Sequence, residues 1–184
     1  MTEAAGALAA AQRLADDVLF PSALATEAAG QVPASHLDRL AEAGLYGVVG
    51  PPGDGGLGGG LAEQSEAAET LAAGCLATTF VWAQHHRLVR AMATVAPAAL
   101  RDAWLGPLCR GDRRAGVALP GLLPGPSRLE ARRTEGGWIL DGSAPWVTGW
   151  GLIDVVYVAA TGPGGAVVWL VVDAVDRPGL AAHR

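Results

Sequence analysis

The sequence predicts an α+β protein: an N-terminal α-helical domain over residues 1–112, then an antiparallel β-domain over residues 113–184. Three observations carry this expectation. As far as Arg110, apolar residues recur at helical intervals within Ala- and Leu-rich segments. After Arg114 the pattern changes to short β-like runs. Those runs are separated by Pro-Gly, Gly-Gly, Asp-Gly and Gly-Pro-Gly-Gly punctuation. Helices grouped first and strands grouped second are the α+β order, with a boundary near Asp112.

Residues 2–29 place Leu14, Val18 and Leu19 at helical spacing, and Pro21 is expected to kink the run or start a new turn. Pro33 stands where a helix start tolerates proline, Leu37, Leu40 and Ala41 follow at helical intervals, and Gly44 is the expected stop. Leu45–Gly60 holds too much Gly and Pro for an element interior and reads as a loop. It follows no convincing strand and sits in no βαβ unit, so it does not read as a dinucleotide fingerprint.

Leu61–Val95 lacks proline and reads as one long helix or two in series, with Gly74 as the weak point. Glu63, Glu66 and Glu69 give its first half a polar, solvated side; the second half, Ala77–Ala93, is more apolar and is expected to lie deeper. Pro97 opens a further helix, Ala98–Arg110, which Gly111 ends. The expected strands are Ala115–Leu119, Arg128–Thr134, Trp138–Asp141, Asp154–Thr161 and Ala166–Asp173, with Glu135-Gly136-Gly137 as a hairpin turn.

Composition removes several functions. The net charge is −5 and there is no basic stripe interleaved with aromatics, which argues against nucleic acid. No apolar run approaches the length of a membrane span, and Glu3 stands where a secretory signal carries positive charge, so the expected location is cytoplasmic. The chain has no lysine, which excludes a Schiff-base lysine and a Walker-type phosphate loop, and no asparagine, which excludes N-glycosylation.

Cys75 and Cys109 match no metal spacing and read as buried free thiols. His85 and His86 point about 100° apart on a helix and cannot ligate a metal as an i,i+4 pair does. At least one reads as a surface or packing histidine, while the other could line a cleft. The Arg110, Arg113 and Arg114 cluster reads either as solvated surface or as an anion contact. The stretch Asp141–Thr161, DGSAPWVTGWGLIDVVYVAAT, combines an Asp-Gly turn, a Trp-Val-Thr segment and an apolar run. A strand ending in Trp146 and Thr148 suits a flat ligand with a polar edge, although both are also ordinary core and turn residues.

Three segments resemble the N-terminal half of the acyl-CoA dehydrogenases: LAEAGLYGVVGPPGDGGLG at Leu40–Gly58, RDAWLGPLCRGD at Arg101–Asp112 and DGSAPWVTG at Asp141–Gly149. The resemblance runs from about residue 10 to the end. It implies a helical domain, a β-domain left incomplete here, and a C-terminal helical bundle that is absent. It also implies FAD as cofactor, an acyl-CoA thioester oxidised at its Cα–Cβ bond, an electron acceptor such as an electron-transfer flavoprotein, and a homo-oligomer or partner chain.

By motif, Trp146 would pack on the flavin ring, the Thr148 hydroxyl would bond near N5, and the backbone at Val117 and Ala118 would bond the pyrimidine edge. No residue matches the catalytic glutamate, which that family carries in the bundle, so the chain is expected to be inactive alone. Where the family reads Thr-Glu-Pro-Gly-x-Gly-Ser-Asp, this chain has Ala118-Leu119-Pro120-Gly121-Leu122-Leu123-Pro124-Gly125. Backbone bonds survive that change and hydroxyl contacts do not. The same scaffold is used by flavin-dependent monooxygenases, and a degenerate copy could serve as a non-catalytic subunit or binding module.

Overall fold

A computed structural model of the chain describes residues 3–183. The chain divides between Arg114 and Ala115 into two compact units, the first helical and the second built on a sheet.

The helical unit begins with α1 (Glu3–Leu14), a π-helical turn (Ala15–Leu19) and α2 (Phe20–Ala29). Pro21 explains the wide turn. It has no N–H to give, and the preceding Phe20 amide reaches five residues back to the Ala15 carbonyl. Leu14, Leu19 and Phe20 all keep right-handed helical dihedrals, so the run is loosened rather than broken. α2 ends at Gly30 and α3 (Ala34–Glu42) starts after Pro33 and ends before Gly44; both glycines are left-handed.

The expected helix over Leu61–Val95 is two helices, α4 (Leu61–Gly74) and α5 (Leu76–Thr94), parted by Cys75 in an extended conformation. Gly74 has a reason to be glycine. A Cβ there would lie 2.9 Å from the Cα and carbonyl oxygen of Ala15 and from the Leu19 side chain, so the π-helical turn packs directly on its backbone. α6 (Ala98–Arg110) follows Pro97 and closes on left-handed Gly111. As its composition suggests, α5 is the buried one: Thr78, Trp82, His85, His86, Leu88 and Val89 have almost no exposed surface.

The loop 45–60 is folded onto itself. The amides of Gly47, Gly50, Gly55, Gly56, Leu57, Gly58 and Gly59 all donate to nearby backbone carbonyls. Those donors are spent inside the loop, so it is not an anion cradle. Two side chains one turn apart on α5, Trp82 Nε1 at 3.2 Å and His86 Nε2 at 3.1 Å, both donate to the Leu45 carbonyl and hold the loop's start.

The second unit is a mixed sheet, and here the expectation of antiparallel pairing is corrected. Its strands are β1 (Ala115–Ala118), β2 (Leu129–Thr134), β3 (Gly137–Gly142), β4 (Val155–Thr161) and β5 (Val167–Asp173). β2–β3 and β4–β5 are antiparallel, but β1 runs parallel to β4 with Ala115 opposite Val155, and β2 meets β4 in parallel at Glu130 and Thr161. The physical reason is connection length. The whole β2–β3 hairpin lies between β1 and β4, enough chain for a crossover, whereas the hairpin partners are joined by short turns that force antiparallel pairing. β4, the apolar run, is buried along nearly all its length.

Candidate functional site

The four residues singled out from the sequence, Val117, Ala118, Trp146 and Thr148, all lie in the sheet unit. Val117 and Ala118 are on β1 and are buried. β1 pairs with β4 alone among the described strands, so its other edge stays outside the sheet ladder. A short edge strand of this kind offers backbone N–H and C=O groups without needing any particular side chain.

Trp146 and Thr148 are not on a strand, and Asp141-Gly142 is not a turn. Asp141 and Gly142 are the last residues of β3, opposite Glu130 and Leu129, and Trp146 and Thr148 belong to the loop 143–154. The Asp-Gly pair fails to turn because Gly142, at φ 125°, lets the chain continue while Ser143 N–H donates to the Arg128 carbonyl at 2.8 Å. A side chain at Gly142 would collide with that carbonyl.

The loop is anchored, with its Trp-Val-Thr segment presented in a fixed order. Val147 and Trp150 pack against the sheet core around Ala118, Leu129, Val156 and Val158. Trp146 between them and β3 is 65% exposed, and Thr148 is half-buried. An indole so exposed, flanked by residues that the core does use, is not explained as a core residue. Gly149 and Gly151, at φ 83° and 85°, then reverse the chain so that Leu152 N–H bonds the Gly149 carbonyl at 2.8 Å.

One residue that the sequence reading passed over joins the two halves of this site. Gly116, on β1 beside Val117, has no side chain, and a Cβ there would lie 2.7 Å from the Thr148 carbonyl oxygen and 2.6 Å from Ile153 Cδ1. The loop backbone at Thr148 therefore rests directly on β1. A lone glycine in a β-like run was the available signal, because strand glycines often mark a close backbone approach. After β1, Pro120–Leu122 form a short 3-10 turn; a Cβ on Gly121 would meet the Ala160 carbonyl carbon at 2.7 Å, so this turn is laid against β4. Its side chains, Leu119, Pro120, Leu122 and Leu123, carry no hydroxyl.

The remaining titratable candidates belong to the helical unit and serve packing there. Both His85 and His86 are buried: His85 Nε2 lies 3.1 Å from the Leu108 carbonyl and edges onto Tyr46, while His86 packs edge-on to Trp82. Burial holds both well toward the neutral form, pushing His86 down to about 4. Neither lines an open cleft by these contacts. Arg114 is not solvated; it bonds Asp38 at 2.6 Å and lies over the Tyr46 ring, whereas Arg110 pairs with Asp112 at the surface.

The Glu63 carboxylate, expected to be merely solvated, accepts the Gly60 amide at 2.8 Å, and that bond lowers its pKa. Cys75 and Cys109 are buried free thiols, and burial raises Cys109 to about 11. Among the described residues no cluster of three or more His, Cys, Asp or Glu could hold a metal, and no helix is long and apolar enough to cross a membrane.

Comparison with known proteins adds the following. Residues 2–112 match the family described as acyl-CoA dehydrogenase, N-terminal domain. The chain is 26% identical over 178 residues to benzylmalonyl-CoA dehydrogenase of Aromatoleum aromaticum, covering 94% of this chain and 47% of that protein. A stretch of 65 residues is 43% identical to the oxygenase component of an FADH(2)-dependent resorcinol hydroxylase from Rhizobium sp. strain MTP-10005, covering 35% of this chain and 16% of that one. In fold the chain is similar to a glutaryl-CoA dehydrogenase from Mycobacterium smegmatis, solved in complex with FADH2. The TM-score is 0.85 at 22% identity, covering all of this chain and 48% of the other. The chain thus spans about half the length or less of the relatives it matches.

Proposed function

The chain belongs to the acyl-CoA dehydrogenase family, and from that premise we propose that it carries one wall of an FAD site for the α,β-oxidation of an acyl-CoA thioester. The observation that carries the reading is the exposed Trp146 indole, held between anchored residues on a loop whose Thr148 backbone rests on β1. The residues present fit a flavin on this side. A flat ring gains from covering the indole, and its polar edge gains from the free backbone edge of Val117 and Ala118 once water is excluded. When bound, FAD accepts the β-hydrogen as hydride while a base removes the α-proton.

Within that reading Trp146 orients the ring system, the Thr148 hydroxyl bonds its central polar edge, and β1 supplies backbone donors and acceptors. The hydroxyl-free stretch Ala118–Gly125 confines binding there to backbone groups. None of the α4 glutamates is assigned as the base: the Glu63 carboxylate already accepts a backbone amide, and Glu66 and Glu69 are exposed. The reading takes the isolated chain to be inactive, with further polypeptide or a partner subunit supplying the base. An electron-transfer flavoprotein as acceptor, a homo-oligomeric assembly and a cytoplasmic location accompany the proposal.

A second reading is favoured by one specific observation, the 43% identity to an oxygenase component over 65 residues. It assigns the same wall to a monooxygenase that uses reduced flavin and oxygen. The visible spectrum of FAD titrated into the purified chain tests the shared premise. Binding is expected to perturb the flavin bands and quench tryptophan fluorescence, and Trp146→Ala is expected to weaken binding about tenfold, the loss of one good aromatic contact. Equal affinity in the variant refutes the site. Bleaching of bound flavin by an acyl-CoA, in an assembly that supplies the base, separates the dehydrogenase from the monooxygenase, and turnover by the isolated chain would contradict the assignment of the base elsewhere.

A further inference from the structure

A second polar cluster, remote in sequence from Trp146, lies in the helical unit. His36 on α3 is buried, and both its ring nitrogens face side-chain hydroxyls: Nε2 lies 3.2 Å from Ser22 Oγ on α2, and Nδ1 lies 3.0 Å from Thr78 Oγ1 on α5. The chain of contacts continues at both ends. Thr78 Oγ1 lies 3.3 Å from Cys75 Sγ at the break before α5, and Ser22 Oγ donates to the Val18 carbonyl at 2.6 Å in the π-helical turn. It therefore ties the π-helical turn to the break at Cys75, two places that also touch each other at Gly74.

The proton positions follow from hydrogen-bonding rules. Ser22 gives its only proton to Val18, so Nε2 of His36 must donate to Ser22 Oγ. Nδ1 then accepts from the Thr78 hydroxyl, whose one proton has Cys75 Sγ as its alternative acceptor. If His36 gains a proton at Nδ1, the bonds reverse: Nδ1–H donates to Thr78 Oγ1, and Thr78 donates to the Cys75 sulfur.

His85 and His86 differ. Each has Nε2 against a backbone carbonyl and no side-chain hydroxyl there. The group of titratable character facing His36 is the Cys75 thiol, through Thr78. Among the described residues burial is what lowers the His36 pKa, with no charged side chain contributing.

We propose that the Ser22–His36–Thr78–Cys75 chain is a proton-uptake switch at the helix joint, in which His36 is protonated within the folded protein by reversal of its hydrogen bonds. Protonation replaces neutral bonds to Ser22 and Thr78 by charge-assisted ones, which are shorter and stronger. Burial outweighs that gain, so uptake costs the folded unit stability and loosens α2, α3 and the α4–α5 break against one another. Burial opposes uptake, so the switch acts below the ordinary histidine range.

The test is long-range 1H–15N NMR of the imidazole rings in the full chain, titrated from pH 7.5 to pH 4.5. His36 is expected as the Nε2–H tautomer at neutral pH and to titrate reversibly while the amide spectrum stays folded. Thr78→Val removes the reversible partner and is expected to lower the His36 midpoint by about one pH unit, with Thr78→Ser restoring it. A His36 that stays neutral until the chain unfolds, or carries its neutral proton on Nδ1, overturns the proposal. So does a midpoint indifferent to Thr78→Val. The tautomer and titration of the unsubstituted protein decide the matter even if Thr78→Val does not fold.

Discussion

Acidification from pH 7.5 to pH 5 is expected to destabilise the helical unit through its buried histidines. The sign follows from proton counting. In the unfolded chain His86 takes up a proton near its ordinary value of 6.5, whereas in the folded unit burial holds it neutral until about 4. Between these values the unfolded state binds more protons, so the stabilisation is complete above 6.5 and is lost as pH falls toward 4.

A displacement of about 2.5 pH units corresponds to a ceiling of about 3 kcal/mol, of which about 2 kcal/mol is gone at pH 5. His85 acts in the same direction, its neutral form favoured by burial and by the neighbouring His86. Against a typical domain stability of about 5–15 kcal/mol this is a large fraction. The Glu63 carboxyl is held below its ordinary value by the Gly60 amide and operates at more acid pH.

The assay is urea unfolding followed by circular dichroism at the helix band, since among the described residues every α-helix lies within 3–110. Midpoints are expected to fall steadily below pH 6.5 at constant slope, and His86→Gln is expected to flatten the dependence. A stability independent of pH between 7.5 and 5 would refute the reasoning, because desolvation of two buried imidazoles requires the loss.

Two further substitutions test the close backbone approaches. Gly74→Val is expected to destabilise by about 2–3 kcal/mol in the same denaturation assay, since its Cβ would displace the Ala15 backbone and Leu19 across from it. Gly116→Val is expected to lift the Thr148 loop off β1. It should expose Trp150 to an aqueous fluorescence quencher and weaken FAD binding alongside it, while leaving the helical signal intact.

Element placement was largely legible in the residues. Pro33, Pro97, Gly30, Gly44 and Gly111 end or begin helices through their own backbone geometry, which needs no partner. The Glu135-Gly136 turn likewise joins β2 to β3 with Thr134 opposite Gly137. Legibility failed where long-range contact decides. Asp141-Gly142 is a turn signal by composition, yet pairing with Glu130 and Leu129 keeps it in β3. Glu63 is a solvated carboxylate by pattern, yet it caps α4 through the Gly60 amide.

For the candidate site the division is similar. The sequence by itself determined which residue types are available: an indole and a hydroxyl two residues apart, an apolar strand, and no lysine for other chemistries. Only the tertiary structure decided that Trp146 stands exposed while Val147 and Trp150 pack against the core, and that β1 pairs with β4 alone among the described strands. It also decided that Gly116 seats the Thr148 backbone on β1 and that His36 faces two hydroxyls from other helices. The reason is range. Turn and cap preferences act within a few residues of chain, whereas burial, strand partnership and hydrogen-bond direction are set by groups that only the fold brings within reach.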